Sequence, residues 1–242
     1  MKGRSFFRAF IVLLALGGIM AYAYFLATEN SYGDAVDRYA DAANKEYESL
    51  VGRLNADGAE YEYTVLINPV LGGLERGDSA DGVNESDVVL AVAQYVEELN
   101  IDDSLRIVLT RESNTNPSDR QRQSVATYVN PDVIIELRTE LDADTNMLGA
   151  SVYYDDSFYN YKLTNADLAD LCLKNLVART GTKAKGLYTG EETIFAKNIP
   201  CVTISLGYLS NAKERQALAS DTYRQSIALG ILDAIAEIDG RD

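Results

Sequence analysis

The sequence predicts an α/β fold: a single domain with a largely parallel twisted sheet flanked by helices. An N-terminal transmembrane helix and a helical stalk precede it. Three observations carry this. From Tyr61 onward, short apolar runs alternate with amphipathic segments, the pattern of parallel strands joined by crossover helices. An uncharged stretch runs from Ala9 to Ala27. Between the two lies a stripe at helical spacing, formed by Val36, Ala40, Ala43, Tyr47, Leu50 and Leu54. The boundaries drawn from these patterns are 1–30 for the anchor, 31–60 for the stalk and 61–242 for the domain.

The uncharged run is long enough, at about 28 Å as a helix, to cross a bilayer core of about 30 Å. Lys2, Arg4 and Arg8 precede it, so the positive-inside rule keeps the N-terminus cytoplasmic and places the domain outside. Ala21-Tyr22-Ala23 resembles a signal-peptide cleavage site, but Tyr24, Phe25 and Leu26 continue the apolar run past it, which favours an uncleaved, single-pass anchor. The stalk stripe covers barely three heptads and includes two alanines. It suits a stalk or a helix packed on the domain better than a coiled-coil dimer, and weak dimerisation is the minor alternative.

Within the domain, YTVLI, RIVLT, DVIIEL, GASVYY and CVTISL read as strands, with GASVYY placed toward an edge. SDVVLAVAQYVEELN is helical, with Val88, Val92, Tyr95 and Leu99 on one stripe. A second helix follows Ser118, and a third ends at Gly181, where glycine suits a left-handed cap. NAKE caps a short helix, and the last helix presents Ile227, Ile231, Ala234 and Ile238. The net charge of −15, with no histidine among 242 residues, disfavours nucleic acid as a partner. Cys172 and Cys201 both sit in apolar contexts and read as buried free thiols rather than a disulfide.

In open α/β sheets, ligands bind beyond the carboxyl ends of the strands. There the sequence places Asn68 and the turn NPVLGG, then Arg111, Arg138, and Ser205 followed by GYLSN, with Glu85 opening the first domain helix. In that order VLINPVLGG, NESDVVLAVAQYV, IVLTRESNTNPSDRQRQSVATYVNPDVIIELR and IPCVTISLGYLSNAKERQAL resemble the zinc-dependent N-acetylmuramoyl-L-alanine amidases, the type 3 catalytic domain of bacterial cell walls. The resemblance runs from about Tyr63 to the C-terminus and implies action on peptidoglycan.

Carried over residue by residue, the resemblance puts the family's zinc-binding histidines at Leu71 and Arg138. It puts the zinc-binding glutamate at Glu85, the catalytic glutamate at Ser205 and the turn's aspartate at Asn68. A catalytic zinc site needs three protein ligands. Leucine has no lone pair, and arginine is a fixed cation. Serine is a poor general base, and no histidine or lysine-activated elbow makes Ser205 a nucleophile. The expectation is therefore no cofactor and no catalytic residue, with Asn68, Leu71, Glu85, Arg138 and Ser205 as former active-site positions. The chain is expected to be an inactive, membrane-anchored homologue that binds peptidoglycan or an envelope protein. The alternative is an active amidase cleaving the muramic acid–L-alanine bond. Arg138 is expected to pair internally with Glu85, with Glu136 as a second partner; the rival is an anionic ligand such as a peptide carboxylate.

Overall fold

The computed structural model describes residues 2–156, 163–190, 193–195 and 198–238; within the first helix, the side chains of residues 2–27 and 30 are outside that description. The helix α1 runs Lys2–Ala56. Residues up to Asp41 form a unit of their own, and a compact unit starts at Ala42. The run from Ala9 to Ala27 has its side chains outside the described residues; among the described residues no helix is long and apolar enough to cross a membrane.

The compact unit is a three-layer α/β/α sandwich. Its sheet holds β1 (Tyr63–Pro69), β4 (Leu105–Leu109), β5 (Val133–Glu140), β6 (Ala150–Tyr154), β7 (Ala184–Thr189) and β8 (Cys201–Tyr208) in the order β4-β1-β5-β8-β6-β7. The pairs β1–β4, β1–β5 and β5–β8 are parallel, β6 runs antiparallel to β8, and β7 lies parallel to β6. A small hairpin, β2 (Ser79–Ala80) and β3 (Val83–Asn84), leads into α2 (Glu85–Leu99).

Strand alternation sorts the apolar side chains onto two faces. Val65, Ile67, Val133, Ile135 and Leu137 pack on α2, α4 (Asn165–Thr180) and α6 (Asp221–Ile238). Leu66, Val108 and Ile134 face the other way, onto α3 (Asp119–Val129) and the end of α1. Cys172 and Cys201 fall in these two different layers and are both buried; Cys201 Sγ lies 3.4 Å from Thr193 Oγ1. Burial pushes the Cys172 thiol up to about 12.

The stops are local. Ser118 makes a capping box with Gln121 at the head of α3, and Gly181 ends α4 at φ 69°. Asn211 caps the short α5 (Ala212–Leu218) through the amides of Lys213 and Glu214.

Of the two readings of the α1 stripe, a stalk or a helix packed on the domain, its second half takes the latter: Ala43, Leu50 and Leu54 are buried, and Leu50 and Leu54 join Leu66 and Ile134 in one cluster, while Val36 and Ala40 are exposed. β7 goes unpredicted, because AKGLYT is short of apolar residues. It can be so because it is an edge strand with no fully buried residue.

Candidate functional site

The site lies where β1, β5 and β8 end. Its first part is the turn after β1. Leu71 takes φ 61°, a left-handed conformation that a leucine adopts only at some cost. Gly72 is required at φ 133°, since a Cβ there would lie 1.9 Å from the Thr115 carbonyl oxygen.

Two buried arginines hold this turn by its carbonyls. Arg111, fully buried, donates to the carbonyls of Pro69 (2.9 Å), Val70 (3.0 Å) and Ser86 (2.9 Å). Arg122, 4 % exposed, donates to Pro69 O (3.1 Å), Leu71 O (3.3 Å), Thr110 Oγ1 (3.0 Å) and Asn116 Oδ1 (3.0 Å), and also to Asn68 Oδ1. Burial, and for Arg111 the nearby Arg122 charge, brings both guanidiniums down to about 10; they stay protonated near neutrality. A backbone turn with unpaired carbonyls would be costly to bury, and these forks remove that cost.

Asn68 is buried on the α3 side. Its Nδ2 donates to Glu136 Oε2 (2.7 Å), and its Oδ1 accepts from Thr110 Oγ1 (2.6 Å). A cavity of ≈ 420 Å³ opens beside the turn, lined by Asn68, Leu71, Glu75, Asn116, Arg122 and Glu136 among others.

Glu85, the first residue of α2, is 7 % exposed. Its Oε1 accepts the Thr139 N–H (2.9 Å) and its Oε2 the Asp78 N–H (3.1 Å). Burial raises its pKa, against the pull of those two amides and of the Arg138 charge. A Cβ added at Gly77 would lie 2.3 Å from both Glu85 Oε2 and Leu71 Cδ1, so the leucine methyl and the carboxylate meet over that glycine.

Arg138 and Ser205 are register partners on β5 and β8, and Ser205 in turn faces Ser151 on β6. The Arg138 charge acts on Glu85, and Arg138 has further partners that the sequence did not suggest. Arg138 Nη2 lies 3.2 Å from Glu140 Oε1, and the guanidinium stacks 4.1 Å above the Tyr153 ring. Arg138 and Glu140, two positions apart on β5, share one side of the sheet by ordinary strand alternation, and Glu85 is held by amides. The hydroxyls of Ser205 and Ser151 are fully buried and have no hydrogen-bond partner.

Leu71, Glu85, Arg138 and Ser205 thus converge, and Asn68 sits behind them in the α3 network. Sequence reading placed Arg111 and Arg122 in motifs without seeing that they carry the turn; a buried cation leaves no mark in a periodicity. Glu140 and Tyr153 also went unrecognised: Glu140 shares a face with Arg138 two positions along β5, and the antiparallel β6 brings in Tyr153.

A zinc ion is what the sequence resemblance implies at this place. The residues here do not fit one. Leu71 offers a methyl, Arg138 a fixed positive charge, and both Glu85 oxygens already accept amides. Among the described residues no three His, Cys, Asp or Glu side chains are grouped as a metal would need.

The fold and the place of the site define a class, the cell-wall amidase-like α/β domains. The model of the N-acetylmuramoyl-L-alanine amidase family matches residues 65–237, and the chain belongs to that family. It is 29 % identical over 180 residues to the N-acetylmuramoyl-L-alanine amidase CwlM of Mycobacterium tuberculosis, covering 72 % of this chain and 44 % of CwlM. It is 26 % identical over 173 residues to LytC of Bacillus subtilis, covering 70 % of this chain and 34 % of LytC. The chain therefore spans less than half the length of these two relatives. The solved catalytic domain of CwlV from Bacillus (Paenibacillus) polymyxa superposes with a TM-score of 0.67 at 26 % identity, over 74 % of this chain and 99 % of that one. These findings correct the expectation that the chain is not an enzyme: it belongs to a family of enzymes, and the relatives it matches are named as amidases.

Proposed function

We propose that this chain is a peptidoglycan-directed member of the amidase family, with the muramoyl-peptide as its ligand. The observation that carries this is the family match over 65–237, whose span contains the turn, Glu85, Arg138 and Ser205. The cavity of ≈ 420 Å³ beside the turn supports it, being large enough for part of a peptide. In this reading the Arg138 guanidinium, not a metal, is the cation facing the carboxylates of Glu85 and Glu140. Calorimetric titration with a soluble muramoyl-tripeptide tests the ligand. A saturable, one-site isotherm is expected, and no heat at millimolar ligand would overturn it.

Hydrolysis of the muramic acid–L-alanine bond is the second reading, favoured by the names of the relatives. Appearance of new L-alanine N-termini during incubation with peptidoglycan supports it, and an unchanged N-terminus count refutes it. We further infer that the uncharged run from Ala9 to Ala27 anchors the chain in the cell membrane with the domain outside. Release of the intact chain from membranes by alkaline carbonate would contradict that.

A further inference from the structure

The family match begins at residue 65, so it says nothing of the helix ahead of it. That helix nonetheless reaches the site. Glu46, on the part of α1 that packs on the domain, directs its carboxylate at the loop after β4. Oε1 accepts the N–H of Glu112 and that of Ser113 (3.1 Å). Oε2 accepts the Ser113 hydroxyl and Thr115 Oγ1 (2.8 Å). Four donors on one carboxylate hold it ionised: burial opposes this, but the hydrogen bonds together keep the pKa below the usual value.

The loop so gripped is the one that shapes the glycine turn. Arg111 at its head reaches Pro69 O and Val70 O, and steadies the loop itself through Ser113 O (3.0 Å). Asn114 Oδ1 accepts the Gly73 N–H (3.0 Å). The Thr115 carbonyl is what Gly72 must yield to. Asn116 Nδ2 donates to Glu75 (2.8 Å), and Asn116 Oδ1 accepts from Arg122 (3.0 Å). Every residue from Arg111 to Asn116 except Glu112 therefore contacts either the turn or an arginine that holds it. Glu112 is tied back to α1 through Arg53.

We propose that Glu46 is a positioning residue for the candidate site. Through the 112–115 loop it keeps the turn from Pro69 to Glu75 in its ligand-receiving shape, so the helix before the domain sets the affinity of the site. The consequence for affinity rests on the peptidoglycan reading above; the consequence for the turn does not. An ordinary packing role would make Glu46→Ala loosen the α1 contact and lower stability. A positioning role makes a further, local demand, which hydrogen exchange can read.

The test compares the full chain with Glu46→Ala and Glu46→Gln. Amide exchange is read at Gly72, Gly73 and residues 112–115, with β6 and β8 as internal controls. Glu46→Ala is expected to raise exchange at Gly73 and in the loop by at least about tenfold, with β6 and β8 unchanged. Glu46→Gln, which keeps one accepting oxygen, falls between. Retention on insoluble peptidoglycan is expected to drop in the same order. Unchanged exchange at Gly73 in Glu46→Ala overturns the proposal, as does a uniform rise across β6 and β8. If Glu46→Ala fails to fold, Glu46→Gln alone decides by the same comparison. If the unaltered chain is not retained on peptidoglycan, the ligand reading falls, while the exchange pattern still judges Glu46.

Discussion

Replacing Arg122 with leucine should expose how the site is held. Arg122 is 4 % exposed and bonds to Asn68, Thr110, Asn116 and the carbonyls of Pro69, Leu71 and Pro117. Some of these acceptors keep another donor: Pro69 O retains Arg111, and Asn68 Oδ1 retains Thr110. Leu71 O, Asn116 Oδ1 and Pro117 O lose theirs, at about 1–3 kcal/mol each if left dry. Glu136, 7 % exposed and the strongest charge drawing on Arg122, also loses that attraction. The combined loss is about 3–5 kcal/mol, the size found when one member of a buried ionic network is removed. That is a large part of the roughly 5–15 kcal/mol that holds a domain together. Urea unfolding of the purified chain measures it, with the midpoint falling and the slope unchanged. A loss below about 1 kcal/mol would refute the claim that the turn hangs on this guanidinium.

Other outcomes follow from the same geometry. Gly77→Ala forces a side chain onto φ 70° and against Glu85 Oε2 and Leu71 Cδ1; a loss of at least about 2 kcal/mol is expected by thermal unfolding. Glu46 has a folded pKa below its ordinary 4.5, so its contribution is present above that pH and is lost as pH falls through the folded value. The stability difference between the unaltered chain and Glu46→Gln should therefore shrink on acidification below about pH 4.5; a difference that grows there contradicts the assignment. If Arg138 serves as the cation of the site, as proposed, zinc added to the chelator-treated chain should leave Tm unchanged; a saturable rise in Tm would refute that.

Most of the sheet was legible because its strands are buried on both faces. VLI and VII read as continuous apolar runs, and the caps at Ser118 and Gly181 follow from single residues. β7 was illegible for the converse reason, since an edge strand with two lysines and glycines in and before it needs no apolar pattern. The stripe on α1 was visible, but periodicity alone does not say what covers it, and the sheet turned out to do so. At the site, motif order pointed to Leu71, Glu85, Arg138 and Ser205, which lie on the turn after β1, at the head of α2 and on β5 and β8. Partner choice was another matter. The Arg138 guanidinium meets Glu140, two positions along its own strand, and the Tyr153 ring on the antiparallel β6, a neighbour that chain order does not announce. The arginine forks on the NPVLGG carbonyls were equally hidden, because main-chain acceptors are the same in every sequence.

The central claim is that this acidic chain engages cell-wall peptidoglycan through its amidase-like site. Co-sedimentation of the purified chain with insoluble peptidoglycan at physiological salt tests it most directly. With a net charge of −15, retention on an anionic wall by simple ion exchange is disfavoured, so binding would report recognition. The account predicts retention that soluble muramoyl-tripeptide displaces. A chain that stays in the supernatant, or one retained but indifferent to the soluble peptide, would contradict it.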